Sequence, residues 1–272
     1  MLKDITIGQF FPGKSVVHRL DPRMKIILTG VFIALLFMAK SMLALSVGIL
    51  FMLFAFFMSR IPFRLMIKSI KPIIPIIIFT AVLNLFFIST GDVLFHFWII
   101  KITTGGVQTS IFMVVRIVCL IIGTSLLTYT TSPIALTDAI ERLLSPLKKI
   151  KVPVHELSMM MTIALRFIPT LIEETDKIMS AQKARGANLD TGGLVKKAKA
   201  LIPVLIPLFV SAFKRANELA LAMECRCYRG GEGRTRMKQL KFGARDIVAT
   251  VVMAVMFTLI ILMNIYVAVP GI

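Results

Sequence analysis

Four uncharged apolar runs decide what this chain can fold into: Ser41–Ser59, Pro72–Gly91, Ile117–Thr137 and Ile247–Ile272. Each is long enough to cross the hydrocarbon core of a bilayer, which takes about 20 residues. In hydrocarbon every backbone N–H and C=O must be satisfied inside the protein, so such runs are read as helices. Composition agrees. Of the 272 residues 57% are hydrophobic, with 20 Phe and 17 Met, far too apolar for a soluble domain. The expected fold class is all-α, a polytopic helical membrane protein.

Charge adds orientation. Lys and Arg number 32 against 14 Asp and Glu, a formal net charge of +18. The basic residues fall between the apolar runs, where cytoplasmic loops place them, and a membrane surface accounts for the excess without nucleic acid as a partner. The 3 Cys at uneven positions make no disulfide framework and fit a reducing side. No cleavable signal peptide is expected, because residues 1–24 hold no continuous apolar segment.

The order of runs gives about five spans. Ile26–Ala39 is a short apolar run broken by Lys40, and Ser41–Ser59 comes directly after it, which reads as a tight helical hairpin. A cytoplasmic loop then carries Arg60, Arg64, Lys68 and Lys71. Pro72 and Pro75 start the third span, at a helix N-terminus where a missing N–H costs little. Residues 91–106 are aromatic, poor in charge and bounded by Gly; they read as an external strand or hairpin, with Trp98 at the interface. The fourth span is about Val107–Thr130, stopped by Thr131-Ser132-Pro133. Arg142, Lys148, Lys149 and Lys151 mark the return to the cytoplasm, and Asp246 opens the last span. The N-terminus is expected inside and the C-terminus outside.

The middle, from about His155 to Gly231, differs. Leu157, Met161, Ala164, Ile168, Leu171 and Ile178 recur at three- and four-residue steps, the apolar stripe of an amphipathic helix. Gly186, with Asn188 and Asp190 behind it, suits a helix stop. A basic linker, Lys196, Lys197 and Lys199, leads into Leu201–Phe213. That run holds Pro203 and Pro207, is too short to cross, and should pack on other helices or lie near the interface. A second stripe continues through Ala216, Leu219, Ala220 and Met223. Both helices end in an arginine between small residues, Ala184-Arg185-Gly186 and Cys225-Arg226-Cys227, and the seven residues around each arginine align weakly. The expected domains are 1–137, an N-terminal transmembrane domain of about four spans; 138–245, a cytoplasmic domain with the two arginine-tipped helices; and 246–272, a C-terminal transmembrane helix.

Few residues offer chemistry. Gly8 to Ser15 fits the phosphate-loop pattern G-x-x-x-x-G-K-S, but too few residues precede it for a buried strand, and Asp21-Pro22 interrupts the helix the pattern requires after it. Pro12 has no N–H to aim at phosphate, so a plain loop is expected. Cys225 and Cys227 are too few for a structural zinc, Cys119 lies in a span, and His18, His96 and His155 are scattered, so no metal is expected. No Ser-His-Asp set or carboxylate pair appears, and the chain is read as a non-enzyme. Arg116, inside the fourth span, costs about 2.5–3.5 kcal/mol there unless it faces protein or water. It either bonds carbonyls or Asn84 of another span, or serves transport directly. The two helix-end arginines are either caps favoured by the helix dipole or forks of donors for a docking partner.

At this point the chain resembles a family. The run from Ser15 to Lys25, with His18, Leu20-Asp21-Pro22 and Arg23, looks like the N-terminal signature of the T components of energy-coupling factor transporters and of the related cobalt-transporter Q components. Arg116, Thr130-Thr131-Ser132-Pro133, Arg166-Phe167-Ile168-Pro169 and Ala184-Arg185-Gly186 fall in that family's order. The resemblance implies a membrane scaffold with two long, crossing coupling helices. Ala184, Arg185 and Gly186 would contact one ATP-binding-cassette ATPase subunit, and Cys225, Arg226 and Cys227 the other. ATP and Mg would be held by those partners, with no cofactor on this chain. A separate substrate-binding S component would capture a vitamin or metal ion, and closure of the ATPases would move the helix ends and, through a platform around Ile202–Phe213, the S component. Cys225 and Cys227 depart from the family's usual Ala, Ser or Gly. The alternatives are a permease with its own pathway through Arg116 and Asn84, or a membrane scaffold recruiting cytoplasmic proteins without transport.

Overall fold

The computed structural model describes residues 10–88, 92–97, 100–187, 193–230 and 240–266. In chain order they form α1 (Pro22–Met38), α2 (Met42–Ser59), α3 (Phe63–Ile70), α4 (Ile74–Phe87), β1 (Val93–Phe97), β2 (Ile100–Thr103), α5 (Thr104–Thr130), α6 (Pro133–Leu143), α7 (Val154–Ala184), α8 (Leu194–Cys225) and α9 (Ala244–Tyr266). The polytopic helical class is as expected, and the aromatic stretch after α4 is the expected hairpin: β1 and β2 pair antiparallel, with a bulge between Val93 and Phe95. Trp98 lies outside the described residues. The chain divides into two compact units, one within Gly8–Leu136 and Gln239–Ile272, the other within Thr137–Lys238.

In the first unit α1, α2, α5 and α9 share one apolar core, including Phe32, Leu35, Leu36, Leu45, Phe112, Cys119, Met256 and Ile260. Small residues set how closely these helices approach. A Cβ on Gly123 of α5 would stand 2.4 Å from a ring carbon of Phe32 on α1, the close packing that small residues permit between membrane helices. Four helical stretches are long and apolar enough to cross a membrane: Met42–Ser59, Phe63–Phe87, Thr104–Thr130 and Ala244–Tyr266. The sequence reading counts α1 as a fifth. At 17 residues it rises about 26 Å, just short of the ~30 Å core.

The α1–α2 hairpin is as tight as expected, and its turn is satisfied from elsewhere. Ser41 caps α2 by accepting from the Ala44 N–H at 3.1 Å. Asn264 of α9 donates to the Met38 carbonyl at 2.8 Å and accepts from the Lys40 N–H at 3.1 Å. Arg116 of α5 donates to the Ala39 carbonyl and lies 4.4 Å from the Phe112 ring.

Three features differ from the sequence reading. The basic stretch after Arg60 is helix α3, joined to α4 through one 3₁₀ turn at Lys71–Ile73. Arg64, Lys68 and Lys71 recur at helical spacing, so they line one face of a helix rather than a loop, and Pro72 and Pro75 sit in first turns. The expected linker Lys196–Lys199 is the first turn of α8, which runs on through Pro203 and Pro207 for 32 residues. Finally, of the two placements expected for Leu201–Phe213, burial against other helices is not met. Val204 is buried, but Ile206, Phe209 and Phe213 are 59%, 62% and 69% exposed.

Candidate functional site

The second unit carries the two arginine-tipped helices. α7 holds 31 residues and α8 holds 32, so they rise about 46 and 48 Å. They pack on each other, and the bonds between them give the direction. Gln182 of α7 donates to the Pro203 carbonyl at 3.3 Å, whereas Glu174, two turns earlier, accepts from Ser211 and, at 2.7 Å, from Arg215. As α7 is followed backwards α8 is followed forwards, so the contact is antiparallel. Arg185 sits one turn past the Gln182 end, and Arg226 lies 23 residues beyond Pro203, about 35 Å along α8. The two tips are therefore at opposite ends of the pair.

Both tips have the same backbone design. In α7, Arg185 is the C-cap; the Gly186 N–H donates to the Lys183 carbonyl and the Ala187 N–H to the Gln182 carbonyl, each at 3.0 Å. In α8, Arg226 is the C-cap; the Cys227 N–H donates to the Glu224 carbonyl at 2.9 Å and the Tyr228 N–H to the Met223 carbonyl at 3.1 Å. This is the paired Schellman arrangement, which needs a left-handed residue just after the cap. Gly186 has φ 87° and Cys227 has φ 55°. The weak internal echo of the sequence thus corresponds to one motif built twice. A glycine takes the left-handed conformation freely; Cys227 does so at a cost of about 1–2 kcal/mol.

The motif decides what each neighbour does. Ala184 and Cys225 are the last helical residues, and Gly186 and Cys227 reverse the chain. All four, with both arginines, are exposed. The backbone carbonyls are already served by the two Schellman bonds, so neither guanidinium is spent on capping, and neither bonds another described residue. Each end therefore offers an uncommitted planar fork of N–H donors, the geometry that suits carboxylates and carbonyls of a partner.

The other candidates are not part of this site. Arg116 and Asn84 are not brought together: Arg116 reaches the Ala39 carbonyl, while Asn84, half-buried on α4, makes no side-chain bond among the described residues. The phosphate-loop match is no phosphate cradle. Ser15 bonds the His18 ring at 2.7 Å, and a Cβ on Gly13 would stand 2.7 Å from that ring; Gly8 and Gln9 lie outside the described residues. Among the described residues no three His, Cys, Asp or Glu side chains are placed to share a metal ion. Cys225 and Cys227 are free and exposed, Cys119 free and buried.

The sequence reading misses a polar cluster that the N-terminal signature builds. Asp21 caps α1, accepting from the Arg23 N–H at 2.9 Å and pairing with the Arg23 guanidinium at 2.8 Å. The Asp21 N–H donates to Asp246 at 2.8 Å, and the other Asp246 oxygen accepts from the Gly243 N–H at 2.8 Å. Arg23 stacks 4.2 Å from the Phe242 ring and donates to the Leu240 carbonyl at 3.3 Å. Lys25 donates to the carbonyls of His18 and Thr130 at 3.2 and 2.9 Å and to the Thr131 hydroxyl at 3.3 Å. Signature residues thus tie the start of α1 to the end of α5 and the start of α9. An aspartate opening an apolar helix, at Asp246, was the available signal.

Comparison with known proteins places this architecture. The profile of the cobalt transport protein family CbiQ matches residues 13–237. A protein of Ruminiclostridium cellulolyticum described as energy-coupling factor transporter transmembrane protein EcfT is 54% identical over 264 residues, covering 97% of this chain and 98% of that protein. The proteins of the same description from Clostridium kluyveri and Bacillus subtilis are 52% and 48% identical, over 98% and 93% of this chain and 99% and 97% of their own. With matches of that length and identity, the chain belongs to the CbiQ family, among the transmembrane components of energy-coupling factor transporters.

Proposed function

We propose that this chain is the coupling subunit of an energy-coupling factor importer, and that Arg185 and Arg226 are its contacts with two ATP-binding-cassette ATPases on the cytoplasmic side. The observation that carries this reading is the duplicated helix end: the same Schellman stop presents an exposed, uncommitted arginine at each of two opposite ends of one antiparallel helix pair. Ends so far apart suit two separate grooves better than one. ATP and Mg act in the partner ATPases; this chain supplies no catalytic group. When the ATPases close on ATP, the grooves approach and draw the tips together. Long helices linked through Glu174, Ser211 and Arg215 transmit that motion along their length.

The receiving surface is the exposed apolar stripe of α8, where Ile202, Leu205, Ile206, Phe209 and Phe213 stand at helical spacing. A stripe of that size wants an apolar partner, and the S component, which holds the vitamin or metal ion, fits it. The permease reading has less behind it, since Arg116 is committed to the turn after α1 and not joined to Asn84. Copurification from membranes tests the proposal. The tagged chain should retain two different ATPases and a small apolar membrane protein. Recovery of the chain alone with a bound small-molecule substrate, or with partners lacking ATPase activity, would contradict it.

A further inference from the structure

Helices α1, α2, α5 and α9 leave a cleft of 240 Å³ at the end of the first unit where α1 and α9 begin and α2 and α5 finish. Its floor is Phe32, Met52 and Met253, all at most 6% exposed. Its rim is open: Phe54, Met58 and Val248 are 56%, 39% and 62% exposed. The lining runs from Lys25 to Phe32 on α1 and from Arg245 to Met253 on α9, about 10–12 Å of helix rise. That is most of one leaflet's half of the ~30 Å hydrocarbon core. The walls offer almost no polar partners, so the cleft suits hydrocarbon rather than water.

Its polar end is positively charged. Lys25 projects there with its ammonium bonded to three oxygens. Arg245 is exposed and bonds no described residue. The nearby acids offset it only in part: Asp21 is paired with Arg23, and Asp246, which accepts two backbone N–H groups, keeps its charge, so the cations Arg23, Lys25 and Arg245 still exceed the two acids by one. An apolar slot one leaflet deep, open along its side and basic at its outer end, matches the shape and charge of one kind of occupant. We propose that the cleft seats one acyl chain of an anionic phospholipid, with the headgroup phosphate on Arg245. This site rests on the chain spanning a membrane and not on the coupling role of Arg185 and Arg226, so either can fail without the other.

The full-length chain, reconstituted in phosphatidylcholine vesicles containing phosphatidylglycerol with a photoactivatable acyl chain, tests the proposal. Adducts are expected on Met52, Met58 and Met253. Replacing Arg245 by Gln should lower their yield about fivefold, the weight of one basic residue at an anionic surface, and leave labelling by a matching phosphatidylcholine probe unchanged. Ala55→Phe, which fills the cleft from α2 without touching charge, should abolish these adducts for both probes. Because Arg245 is exposed, its replacement does not put folding at risk. Adducts spread evenly over the lipid-facing helices, or cleft adducts indifferent to both substitutions, would overturn the proposal. Occlusion of the cleft in the assembled complex, seen as loss of all cleft adducts when partners are bound, would equally overturn it.

Discussion

At the scale of single residues, two positions carry conformational or protonation costs that can be measured. Cys227 holds the left-handed backbone that Gly186 holds at the sister helix end. Cys227→Gly should therefore stabilise the end of α8 by about 1 kcal/mol, read as slower hydrogen exchange of the Cys227 and Tyr228 amides; unchanged exchange would mean the strain is absent. The His18 imidazole is held below its ordinary value of 6.5, first by burial, against the bond to the Phe11 carbonyl, and further by the positive charge of Lys25. Folding favours its neutral form, so its contribution is complete above about pH 6.5 and is lost as pH falls through the lower folded value. Thermal unfolding of the full chain should show that loss on acidification, and His18→Gln should flatten it. The positions of the arginines are legible in the sequence. That Cys227 makes the stop in a left-handed conformation is not, since cysteine carries no such signature.

At the scale of elements, the bundle depends on close approach and on turns satisfied from a distance. Gly123→Leu would drive a side chain into the Phe32 ring and should destabilise the α1–α5 contact by about 1–3 kcal/mol, seen as a lowered melting temperature; a wild-type value would show that the ring moves aside freely. Arg116→Met would leave the Ala39 carbonyl without its partner, at about 1–3 kcal/mol for a buried group. Its effect should appear in stability, with transport per folded molecule preserved. The helices themselves are legible because apolar runs are long and uniform. Their joints are not. Asn264 and Met38 are 226 residues apart, and no local pattern announces such a pair. Arg64, Lys68 and Lys71 look like a loop when charge, rather than spacing, guides the reading; their helical period is in the sequence. In α8 the three lysines near its start and two interior prolines mask a single continuous helix for the same reason.

At the scale of the whole molecule, the chain combines a helical unit built for a membrane with a long helix pair whose two end arginines bond no other described residue and whose apolar stripe is exposed. Packing alone does not explain exposed Phe209 and Phe213 or two uncommitted arginines; the proposed coupling role would account for both. The sequence carries the identity of the arginine tips, but their separation comes only from the antiparallel contact of α7 and α8. That separation makes the central claim directly testable. The doubly substituted chain, Arg185→Glu with Arg226→Glu, should enter membranes at the wild-type level, melt within a few degrees of it, and retain neither ATPase on copurification. Each single substitution should lose one ATPase more than the other. Full retention of both ATPases by the double variant would contradict the account.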